Sequence, residues 1–139
     1  MLVAVSAGQL AAGLAGHVLA VRGHRSFDIG ILRWRGQPDR VGRDSFVFGT
    51  GLSAPVVMLA GQAVATGFLA ARPSRTATRT LGVLGSVMAG GYLVEREFRS
   101  AMSPSGWDRI RTPTCAVGFV LALTMAVLGS GLSEHQFVP

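Results

Sequence analysis

The apolar residues of this chain fall in four blocks, at about 2–21, 46–71, 80–98 and 113–133. That segregation constrains the fold more than any other feature. A bilayer-spanning helix needs roughly 20 mainly apolar residues at 1.5 Å each. The first, second and fourth blocks meet that requirement. The third has an uncharged core of only Thr80 to Val94 and reaches across only if its helix includes Glu95 to Phe98. The expectation is an all-α integral membrane protein, one membrane domain over 1–139. Its four transmembrane helices would form a compact bundle, with the interfacial loop 22–45 between the first two.

Composition agrees. Hydrophobic residues make up 49% of the 139 positions and charged residues 14%, against about 25% charged in an ordinary soluble domain. All 13 basic side chains are arginines. A chain this basic raises nucleic acid as a partner, but the arginines lie between the apolar blocks, as the positive-inside rule places them. Nucleic-acid binding is therefore not expected. Six arginines fall in loop 22–45 and four in 96–112, against three in 72–79. The rule sets both large loops in the cytoplasm and both termini on the non-cytoplasmic side of a cytoplasmic, multi-pass membrane protein. The first block lacks a basic leader and a good cleavage site, so a retained helix is expected rather than a signal peptide.

Each block repeats small residues at every fourth position, the pattern that lets helices approach closely in lipid. The first carries Ala4, Gly8, Ala12, Gly16 and Ala20; the second carries Ala63, Gly67 and Ala71. The third carries Gly82, Ser86 and Gly90; the fourth carries Gly118, Ala122, Ala126 and Ser130. Pro55 is expected to interrupt the second helix and free the carbonyl of Gly51. Gln9 and Gln62 fall at similar depths and are expected to hydrogen-bond across the first two helices.

Candidate chemistry gathers toward the cytoplasmic ends. His17 and Glu95 are the titratable candidates for acid–base work. Thr50, Ser53, Arg96, Arg99 and Cys115 are the polar groups able to line a ligand pocket beside them. Glu95 precedes Arg99 by four residues, the favourable order for a helical ion pair. Arg33, Trp34 and Arg35, with Trp107, Arg109 and Arg111, suit the headgroup layer and anionic lipid. Phe27, Ile31 and Trp34 are spaced for a short interfacial helix. The lone Cys115 excludes an intramolecular disulfide. No phosphate-binding loop, nucleophile elbow or zinc motif occurs, so neither metal nor cofactor is implied.

Three functions fit this pattern. The first is a non-catalytic subunit that binds a larger membrane protein, another copy of itself, or lipid. The second is a membrane enzyme or binder for a lipophilic small molecule, with its pocket near the cytoplasmic face. The third is an oligomeric proton-coupled transporter using Glu95. The absence of an obvious active site favours the first.

Overall fold

In a computed structural model, residues 1–22, 28–29, 34–35 and 54–135 are described. The architecture is helical: α1 (Leu2–Arg22), α2 (Val56–Ala71), α3 (Arg75–Val94), the short α4 (Arg96–Ala101) and α5 (Arg111–His135). A two-rung antiparallel ladder pairs Asp28 with Arg35 and Ile29 with Trp34. Ile29 and Trp34 are thus extended, which corrects the interfacial helix expected there. Phe27, Ile31 and Arg33 lie outside the described residues, as do Thr50 and Ser53.

Local chemistry sets the helix ends. Pro55 stands before α2 rather than inside it, with φ −51° and ψ 140°, and its carbonyl accepts from Met58 and Leu59 at 2.9 and 3.1 Å. It opens the helix because a proline needs no amide hydrogen at that position. The expected kink is therefore a helix start, and the described part of the second helix is shorter than expected. At the other end Arg72 is extended, as a residue before proline is driven to be.

α3 begins five residues earlier than expected and stops at Val94. The Ser74 Oγ accepts the Ala77 amide at 3.2 Å, an N-cap worth about 1 kcal/mol. The helix so gained is 20 residues long, about 30 Å at 1.5 Å each. Length is found at the arginine-rich N-terminus, and α3 does not run on through Glu95. Glu95 has ψ 126° and separates α3 from α4. Its carbonyl still accepts the Arg99 amide at 3.2 Å. Asp108 caps α5: its Oδ1 accepts from Ile110 and Arg111 at 3.0 and 2.7 Å. Thr112 closes the cap by accepting the Asp108 amide and donating to the Ala101 carbonyl, each at 3.0 Å.

Each long helix packs against two others in the cyclic order α1, α2, α3, α5. Paired levels run in opposite directions: Gly82 meets Gly129 and Tyr92 meets Gly118, while Gly8 meets Leu121 and Ala12 meets Gly118. α5 is therefore antiparallel to both α1 and α3. The α3–α5 contact is the closest because glycines face each other there. A Cβ on Gly85 would lie 2.6 Å from the Ala126 amide nitrogen and 2.7 Å from the Ala122 carbonyl oxygen.

The small-residue stripes meet different fates. Gly118, Ala122 and Ala126 are buried as expected, and so are Gly16 and Ala20. Ala63, Gly67 and Ala71 face outward instead, and α2 packs through Leu59, Gln62 and Ala65. On α3, Gly82 is buried against α5 as expected, while Ser86 and Gly90 are exposed; the helix otherwise packs through Leu81, Gly85, Met88 and Tyr92.

Candidate functional site

Among the described residues, polar groups lie inside the protein in two regions. One lies between α1 and α2. Ser6, Gln9 and Gln62 are each fully buried. Gln62 Nε2 donates to the Ser6 carbonyl at 2.9 Å and to Ser6 Oγ at 3.1 Å, with Met125 Sδ 3.6 Å away. Ser6 Oγ also bonds Thr66 Oγ1 at 2.7 Å, and Thr66 returns a bond to the Gln62 carbonyl at 2.7 Å. The network is local and directional, the kind of polar contact that fixes helix register in an apolar setting.

Gln9 does not join it. Among the described residues neither its amide nitrogen nor its oxygen has a hydrogen-bond partner, and Gln62 Oε1 has none either. The expected Gln9–Gln62 bond is therefore absent, because Ser6, one turn earlier on α1, takes the Gln62 amide. A buried amide left unpaired costs about 1–3 kcal/mol, so Gln9 is expected to weaken this core.

The second region lies where α3 gives way to α4. The packed levels of α1, α3 and α5 place His17, Glu95 and Cys115 near the same height of the protein. Cys115 is buried, whereas His17 and Glu95 are half-buried. The Nδ1 of His17 is buried with no hydrogen-bond partner among the described residues. Arg96 and Arg99 are exposed. The break at Glu95 removes the continuous helix on which a Glu95–Arg99 side-chain pair was expected, leaving the backbone bond between them.

Sequence reasoning missed the aromatic cluster that fills this end. Tyr92, Phe98 and Phe119 meet with centroids 5.2 to 6.2 Å apart. The Tyr92 hydroxyl lies over Gly118, where a Cβ would come within 2.5 Å of it. The available signal was Gly118, whose bare surface accepts a large neighbour. Beside the cluster, the bonds of Thr112 tie α4 and the loop at Asp108 to α5.

Of the interfacial candidates of the second loop, Trp107 and Arg109 are outward and Arg111 is half-buried. Trp107 is 67% exposed and Ile110 64%. Arg109 is exposed, and Arg111 donates through its guanidinium to the Gly106 carbonyl. Trp34 and Arg35 lie in the ladder opposite Ile29 and Asp28. Among the described residues no three His, Cys, Asp or Glu side chains converge.

α1 and the segment Arg111–Gly131 of α5 are long and apolar enough to cross a membrane; Val56–Ala71 is a shorter apolar helix. Comparison with protein families, curated proteins and solved structures gives no match.

Proposed function

We propose that this chain is a four-span membrane bundle acting as a non-catalytic subunit within a cytoplasmic membrane. One observation carries the reading: all four long helices present large apolar side chains outward, while Ser6, Gln9 and Gln62 are enclosed between helices. Leu14 and Val18 on α1, Val57 and Val64 on α2, Val83 and Val87 on α3, and Val120 and Val127 on α5 are all exposed. Water disfavours so many large apolar side chains at the surface. Lipid favours this arrangement, because tails solvate Val and Leu while helices join through small and polar groups.

The arginine count supports both termini on the non-cytoplasmic side, and exposed Trp107 supports an anchor at the opposite surface. A subunit role is supported by α2, whose outward stripe of Ala63, Gly67 and Ala71 offers a close-approach surface unused among the described residues. Native mass spectrometry after gentle extraction tests this. The expected result is a stoichiometric second protein or second copy that is lost in Gly67→Leu. A protein that flies alone, with and without the substitution, would contradict the subunit role.

A second reading is a lipophilic-ligand site at the Glu95 end, supported by the buried, unpartnered Nδ1 of His17. It requires that His17→Phe abolish ligand retention while the fold persists.

A further inference from the structure

Between α2 and α3 the surfaces part into an open groove of about 590 Å³. Its walls are apolar, with Gly61, Val64 and Phe68 on α2 facing Ala77 on α3. A Cβ on Gly61 would meet nothing within 4 Å, so the space beside this wall is open. From Gly61 to Phe68 the α2 wall runs about 10 Å at 1.5 Å per residue. At the Phe68 end the character changes sharply. Arg72 lines the mouth, and Thr76 and Thr80 line the α3 side.

Two further facts give the mouth a ligand preference. Arg72, Arg75 and Arg79 are all exposed at this end, while the described acidic side chains, Glu95 and Asp108, belong to the opposite end. Glu134 falls in the last turn of α5, which does not border the groove. The hydroxyls also differ. Thr66, Thr78, Thr112, Thr114 and Thr124 each donate to a backbone carbonyl. Thr76 and Thr80 have no such partner among the described residues, so their donors are available to whatever occupies the groove.

An apolar trough closed at one end by a guanidinium and free hydroxyls complements an amphipathic anion. We propose that the groove is an anionic-phospholipid site. One acyl chain lies along Gly61, Val64 and Phe68, and the phosphate is held by Arg72 and the Thr76 hydroxyl. Charge-assisted bonds from arginine to phosphate are the strong kind, and their position at the headgroup level follows from the membrane reading above, on which this site rests.

The test uses the full chain reconstituted in vesicles of phosphatidylcholine with phosphatidylglycerol, followed by flotation, detergent extraction and native mass spectrometry. Phosphatidylglycerol is expected to be retained in preference to phosphatidylcholine. Arg72→Gln is expected to lower its retention about five-fold, the effect of one arginine at an anionic surface. Gly61→Trp, or the milder Gly61→Leu, is expected to expel the bound chain without disturbing flotation, and Arg22→Gln at the opposite end to change nothing. Equal retention of the two lipids, or retention unaffected by both Arg72→Gln and the Gly61 variants, overturns the site while leaving the membrane reading intact. A dimer that Gly61→Leu dissociates, with no selective lipid, also overturns it by giving the groove to a second copy. Failure of the wild type to float overturns both readings together.

Discussion

Gly82 and Gly129 bring the backbones of α3 and α5 into direct contact: a Cβ on Gly82 would lie 2.8 Å from the Gly129 carbonyl carbon and 3.0 Å from its Cα. Backbone atoms cannot step aside as a flexible side chain can. Gly82→Ala and Gly129→Ala are therefore expected to cost about 1–3 kcal/mol each through overpacking. Gly67→Ala, with nothing within 4 Å, is expected to cost nothing measurable. Equilibrium unfolding in mixed micelles separates the three.

Gln9 and Gln62 are equally buried and differ only in their partners. Gln62→Leu removes the bonds to Ser6 and is expected to lower stability by ~0.6 kcal/mol or more, a typical interhelical value in membranes. Gln9→Leu removes an amide with no partner among the described residues and is expected to raise stability by about 1 kcal/mol. The same unfolding assay reads both, and a loss in Gln9→Leu would show that its amide has a partner.

Thr112 joins three segments, since it accepts from Asp108 and donates to Ala101. Thr112→Val keeps the shape but strands both backbone groups. It is expected to cost about 1–3 kcal/mol and to raise hydrogen exchange at Asp108 and through α4. Thr114→Val loses only a bond to its own helix, from Thr114 Oγ1 to the Ile110 carbonyl, and is expected to be near neutral.

Tyr92 fits because Gly118 lacks a side chain. Gly118→Ala is expected to destabilise by displacing the Tyr92 ring from Phe98 and Phe119. Tyr92→Phe, which removes the hydroxyl over Gly118, is expected to restore much of that loss in the double variant. A double-mutant cycle measures the coupling.

Helix identity was legible in the sequence because apolar runs survive any packing arrangement. Helix ends were less so. The apolar run of α3 starts near Thr80, but Ser74 caps the helix six residues earlier and carries Arg75 and Arg79 into it. A hydropathy pattern weighs those arginines against a helix, whereas the backbone needs only a cap. Pro55 was read correctly as a disruption and placed wrongly, since a proline suits the start of a helix as readily as a kink inside one.

Inward faces were legible only where glycine and alanine lay on the contact side. On α5 the stripe at Gly118, Ala122 and Ala126 is the buried face. On α2 the same spacing marks the outer face, because Gln62 turns the helix toward Ser6. A polar side chain with one available partner outweighs a stripe of small residues when a helix chooses its rotation. At the candidate site, His17, Glu95 and Cys115 were recognisable from residue type and depth. The break at Glu95 and the Tyr92 cluster depend on tertiary packing and left little trace in the sequence.

The central claim is that four helices cross the membrane, which places the turn at Pro73 and the loop at Ser105 on opposite sides, since α3 runs between them. Single cysteines at these exposed positions, Pro73→Cys and Ser105→Cys in a Cys115→Ala background, can be probed with a membrane-impermeant maleimide in intact cells. The expected result is labelling of Pro73→Cys from outside and of Ser105→Cys only after the membrane is opened. Labelling of both from the same side would mean that α3 does not cross, contradicting the four-span account.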